Sequence, residues 1–192
     1  MKQPPSVLDS LKFASLQLAA EAFLLDDNLK PIGNKTALIG ALVDGNLHAS
    51  RFSRADAERF ASEWEVLNQT DSTPTGFSAT LFKRLGSEEF VISFRSTEFI
   101  DDAVRDTLAT NAMEITDTGW AWGQISDMEK WFAQLRAPGG ALHGKEFSVT
   151  GYSLGGHLAT AFNLLHPGEA TQVVTFNGAG VGLIKGTNDP GP

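Results

Sequence analysis

The chain has 192 residues, 42% of them apolar and 20% charged, which suits one globular domain and argues against disorder. Lys and Arg number 15 against 23 Asp and Glu, a formal net charge of −8 with no basic run, so nucleic acid is excluded as a partner. Cysteine is absent, which removes disulfides, thiolate catalysis and Cys-ligated metals.

Met1 to Pro5 lead into an amphipathic segment instead of a continuous apolar run, so no cleavable signal peptide is expected. No apolar stretch approaches the ~18 residues needed to span a bilayer. A soluble chain is the reading, and its compartment stays open; export without an N-terminal signal peptide is compatible with it.

From Ser6 to Leu25, apolar residues at Val7, Leu11, Ala14, Leu18, Ala22 and Leu25 predict one stripe of a helix. Residues 26–50, rich in Gly, Asn and Asp, read as loop with one short strand at Ala37 to Val43. Ser53 opens a second helix, with Asp56 three residues on as an imperfect capping box and Phe60, Trp64 and Leu67 on one face. Asp71 to Gly76 turns the chain. Two β-type runs follow, Phe77 to Leu85 and Glu89 to Phe94, joined at Gly86-Ser87.

A polar stretch of helical spacing runs from Glu98 to Ala109, and a further helix from Asp127 to Leu135. Then come a strand at Phe147 to Thr150, a helix at Leu154 to Leu165 and a strand at Gln172 to Phe176. Strands alternating with helices imply an α/β fold, a largely parallel sheet flanked by helices. The chain reads as one domain, with a helical N-terminal segment at 1–70 and a core at 77–182. Its Gly-rich end, closing on Asn188-Asp189-Pro190-Gly191-Pro192, reads as a loop interrupted in its course.

The sharpest motif is Gly151-Tyr152-Ser153-Leu154-Gly155-Gly156, placed after an expected strand and before an expected helix. A tight strand-to-helix turn strains the serine backbone and exposes Oγ at a helix N-terminus. Small residues two before and two after it avoid backbone collisions. The dipole and free N–H groups there favour developing negative charge, with the Leu154 N–H as one oxyanion donor.

Gly-Tyr-Ser-Leu-Gly-Gly-His-Leu-Ala resembles the nucleophile elbow of the class 3, fungal-lipase-like branch of the α/β-hydrolases. Val91-Ile92-Ser93-Phe94-Arg95-Ser96-Thr97-Glu98 resembles that family's strand ending in Phe-Arg-Gly-Thr-Glu, with Ser96 where the family has Gly. The resemblance covers Phe77 to Gly182. It implies an α/β-hydrolase-type fold, incomplete at the C-terminus, with Ser153 as nucleophile and Thr97 as second oxyanion donor. Phe99, Ile100, Val104 and Leu108 then line the apolar face of a lid, and Asp106 scaffolds the oxyanion loop. The first 70 residues match no motif.

A serine hydroxyl needs a base, normally His, oriented by Asp or Glu. His157 lies one helical turn past Ser153 and points away from it. His166 falls about 18 Å along the same helix, close to its terminal carbonyls. His48 and His143 precede the serine, in loops. Glu169 is on the wrong side of the sheet, and Asp189 comes one strand too early for the family's acid. The catalytic Asp and His are therefore expected beyond Pro192 or from a second chain.

The resemblance implies a lipase or phospholipase acting on a lipid or other acyl ester, needing no metal or cofactor. The alternatives are a non-catalytic hydrolase-like domain that binds lipid or a partner, a fragment inactive without its Asp and His, and a peptidase or acyltransferase on the same scaffold.

Overall fold

In the computed structural model the described residues are 6–46, 51–70, 72–96, 114–115 and 117–182. Three helices of the N-terminal part each begin at a side-chain cap. Helix α1, Val7–Ala20, opens with a full capping box: the Asp9 N–H donates to Ser6 Oγ at 3.1 Å and the Ser6 N–H to Asp9 Oδ2 at 3.2 Å. Its buried face is Phe13, Leu16, Ala19 and Ala20, whereas Val7 and Leu11 are 78% and 60% exposed. The buried stripe is thus rotated from the expected one, and the helix stops at Ala20. Both stripes have helical spacing; the one bearing Phe13 and two small alanines is the one that packs against the sheet.

Helix α2, Lys35–Asp44, stands where a loop and short strand were expected. Asn34 caps it by accepting from the Ala37 N–H at 3.1 Å, and Leu38, Ile39 and Leu42 are buried. Asn34→Ala is expected to cost about 1 kcal/mol, read as a lowered midpoint in urea unfolding.

Helix α3, Arg54–Glu63, is capped by Ser53, whose Oγ accepts from the Asp56 N–H and donates to its carboxylate. The helix was expected to run on through Trp64 and Leu67. Instead the chain passes straight into strand β1, Trp64–Thr70, with Trp64 and Val66 buried in alternation. Trp64 already has extended dihedrals, φ −130° and ψ 145°.

The two expected β-type runs form strands β2, Ala79–Arg84, and β3, Phe90–Phe94, which pair as an antiparallel hairpin, Ala79 opposite Phe94 and Lys83 opposite Phe90. Helix α4, Trp122–Arg136, starts five residues earlier than its expected position at Asp127. It leads to β4, Ser148–Tyr152, then α5, Leu154–Leu165, and β5, Val173–Phe176.

The five strands lie side by side in chain order. β1–β2 and β2–β3 are antiparallel; β3–β4 and β4–β5 are parallel. Helices cover both faces, so this is a mixed α/β sheet with two cores. On one face Phe77, Ile92 and Phe94 pack with Met128, Trp131, Phe132 and Phe162 of α4 and α5. On the other, Phe82 and Val91 pack with Phe13, Leu16, Leu42 and Phe60 of α1, α2 and α3. Each such side chain contributes roughly 1.5–3 kcal/mol through burial. Phe132 and Phe162 meet edge to face, with centroids 4.8 Å apart. No helix of the described residues is long and apolar enough to cross a membrane.

Candidate active site

Because β3, β4 and β5 are parallel, their C-terminal ends open at one edge of the sheet. There the loops are free to present chemistry, as in other open α/β sheets. Ser153 sits at that edge, directly after β4, and α5 begins at Leu154. Its φ is 52° and ψ −117°, a conformation that a side chain rarely adopts and that costs of order 1–3 kcal/mol. The surroundings hold it there. The Ser153 N–H donates to Phe176 O at the end of β5, and Ser153 O accepts from His157 N–H and Ala179 N–H.

The glycines around the serine are required by close approach. A Cβ on Gly151 would overlap the Gly155 carbonyl, and one on Gly155 would overlap the Phe94 carbonyl oxygen. Gly156 abuts Gly178 in the loop after β5, where Asn177 also has positive φ, at 46°. The serine makes no capping bond to its own helix, and the side chain is half-buried. Since the first helical bond runs from His157 N–H to Ser153 O, helix geometry leaves the Leu154 N–H over at the N-terminus. Tyr152 is exposed beside the elbow.

Ser96 follows the end of β3 without adopting positive φ, so a serine is accommodated where the resembling family has glycine. Thr97, Asp106 and the residues expected to line a lid, Phe99, Ile100, Val104 and Leu108, lie outside the described residues, as do His48 and Asp189.

The three described histidines are each engaged away from Ser153. His157 is fully buried and bridges two loops. Its Nε2 accepts from the Ala121 N–H at 3.3 Å, so Nδ1 carries the proton and donates to Gly180 O at 3.0 Å. Trp120 packs edge-on against the ring. His166 was expected near the α5 terminal carbonyls; its ring instead meets Glu129 Oε1 of α4 at 2.8 Å. A carboxylate on a facing helix offers a stronger partner than helix-end carbonyls. His143 is exposed and bonds Arg136 O. Glu169 pairs with Arg136 at 3.1 Å. Among the described residues no cluster of three or more His, Asp or Glu side chains is placed to hold a metal.

Burial pushes the His157 pKa below its ordinary value of 6.5, only partly opposed by the Gly180 and Ala179 backbone groups. A folded-state pKa below the unfolded one means that the unfolded chain binds the proton first. Stability contributed by this group is full above about pH 6.5 and falls as the pH drops toward the folded value. Thermal unfolding from pH 8 to 5 is expected to fall more steeply for the native chain than for His157→Gln.

Sequence reasoning missed the partners of His157 and the buried carboxylate of Glu21, which accepts from the Ser96 N–H at 3.0 Å. The signal available was weak: a histidine within an otherwise apolar helix face, and a glutamate following the alanine-rich end of α1.

No family model matches the chain, and no curated protein matches it. Among solved structures it is similar to the triacylglyceride lipase of Rhizomucor miehei, with 13% identity over 90% of this chain and 63% of that one, at a TM-score of 0.42. It is similar to Lip2 lipase of Yarrowia lipolytica, with 16% identity over 91% and 59%, at 0.44. A mono- and diacylglycerol lipase of Aspergillus oryzae aligns with 14% identity over 88% and 61%, at 0.42. The chain spans about three fifths of the length of these fungal lipases.

Proposed function

We propose that the chain carries the nucleophile and the oxyanion-binding end of a serine ester hydrolase of lipase or phospholipase type. The observation that supports this best is the strained Ser153 backbone, held between β4 and α5 by glycine contacts on both sides. Folded chains keep such strain where it serves a site.

Ser153 Oγ attacks the acyl carbonyl of a lipid or other acyl ester, and its proton passes to a base. The tetrahedral oxyanion is met by the N–H groups of Leu154 and Thr97. The C–O bond then breaks, the alcohol leaves with the proton from the base, and water cleaves the acyl-enzyme by the reverse sequence. The segment with Phe99, Ile100, Val104 and Leu108 serves as a lid. The base and its acid come from outside the described residues, from chain beyond Pro192 or from a second chain.

A second reading is a hydrolase-like domain that binds lipid without turnover. It is favoured by the engagement of His143, His157 and His166 with other groups. A fluorophosphonate probe separates the two. In the protein made from the whole reading frame, covalent labelling mapped to Ser153, with hydrolysis of short-chain esters, is expected. A protein that binds lipid vesicles but neither labels nor hydrolyses overturns the enzyme reading. Triacylglycerol and phospholipid substrates, compared in the same assay, define the substrate class.

A further inference from the structure

Glu21 is the C-cap of α1, at the end of a helix that no motif explains, and it is 5% exposed. A buried carboxylate is costly unless it is paired and hydrogen-bonded, so its partners are the groups that fix it. Its backbone is fixed from several directions. The Asn46 side chain donates to Glu21 O at 2.7 Å. The Gln69 amide, buried in β1, donates to Ala22 O at 3.0 Å and accepts from the Leu24 N–H at 2.7 Å. From this anchored position Glu21 Oε1 accepts from the Ser96 N–H at 3.0 Å, across 75 positions of sequence.

The Ser96 nitrogen and the Arg95 carbonyl belong to one peptide group. The oxygen side of that peptide faces the elbow: a Cβ on Gly155 would lie 3.0 Å from Arg95 O, and it would overlap Phe94 O. The peptide at which the chain leaves β3 is therefore held between Glu21 on its N–H side and Gly155, two residues after the nucleophile, on its C=O side. Burial raises the Glu21 pKa, while the Ser96 N–H and the neighbouring Arg95 charge lower it.

We infer that Glu21 is a positioning residue, which sets the Arg95–Ser96 peptide, at the end of β3, against the elbow that presents Ser153. This inference rests on the hydrolase reading. It gives α1 and β1 a role in that chemistry: they hold a carboxylate in place. Glu21 touches no reacting atom. It acts through the orientation of a peptide that precedes the second oxyanion donor by one residue.

The test compares Glu21→Gln, which keeps an acceptor oxygen, with Glu21→Met, which has similar length and none, in the full-length protein. Loss of one well-placed oxyanion donor costs about 100–1000-fold in kcat, and misaiming its loop is expected to cost about tenfold. Glu21→Met should lose about that factor in kcat and in fluorophosphonate labelling rate, with little change in KM. Exchange of the Ser96 amide should speed up about tenfold or more. Glu21→Gln should restore both. A Glu21→Met protein with native labelling and native Ser96 protection overturns the inference. So does a Gln variant as slow as the Met variant while its Ser96 amide stays protected. Should Glu21→Met not fold, the native chain decides: a Ser96 amide exchanging at the rate of an open loop overturns the inference. A native protein that never reacts with the probe, yet protects Ser96 in a Glu21-dependent way, removes the hydrolase reading and leaves the tether standing.

Discussion

Ser153→Ala is expected to lower ester hydrolysis and probe labelling at least a thousandfold, and Ser153→Gly to do the same while folding more stably than the alanine variant. The first effect follows from removing the attacking oxygen; knocking out a serine nucleophile removes about six orders of magnitude in the well-studied proteases. The second follows from the backbone. At φ 52° the Cβ is strained, and alanine keeps that strain. Glycine releases about 1–3 kcal/mol of it and loses roughly 0.5–1 kcal/mol through the greater freedom of the unfolded chain. A net gain of about 1 kcal/mol for glycine over alanine should appear in urea unfolding. If the alanine variant is the more stable, the elbow is not strained, and the strongest support for the nucleophile is gone.

Gly155→Ala is expected to cost about 3 kcal/mol or more and to abolish labelling with it. The added methyl would overlap the Phe94 carbonyl, and backbone at the end of a buried strand cannot swing aside as a side chain could. Relief requires α5 to move away from β3, which breaks the peptide contact at Arg95 and shifts the serine. The same substitution at Gly40, in α2, provides the contrast. Nothing lies within 4 Å of a Cβ there, and the backbone is helical. Gly40→Ala should therefore stabilise by roughly 0.5–1 kcal/mol. Chemical denaturation of the two variants beside the native chain checks both signs.

The elbow was legible because its signals are local. A glycine-framed serine between a β-type run and a twelve-residue apolar helix specifies its own geometry, and the observed α5 matches the expected one end to end. Regions where two periodicities compete were not legible. Phe60, Trp64 and Leu67 obey helical spacing, yet Trp64 and Val66 also obey alternation, and pairing of β1 with β2 decided for the strand. Ala37 to Val43 is short and apolar, a length at which strand and helix look alike; the Asn34 cap tips it to helix. In α1 the choice between two apolar stripes was made by what the sheet accepts. The residues that steady the site were hidden for another reason. His157 finds partners 36 positions before it and 23 after it, and Glu21 finds its own 75 positions away. Nothing near either residue announces those partners.

The strand order, identical to chain order, bears on how the molecule is built during synthesis. Each strand joins the one made just before it, so the meander of the first three can close while later residues are still inside the ribosome. The two parallel additions each wait for a crossover helix, and their slower, longer-range closure extends a template already in place. Growth then proceeds outward from one finished margin, and the bend at Ser153 is fixed only once β5 has joined, because the Ser153 N–H donates to Phe176 O at the end of that strand.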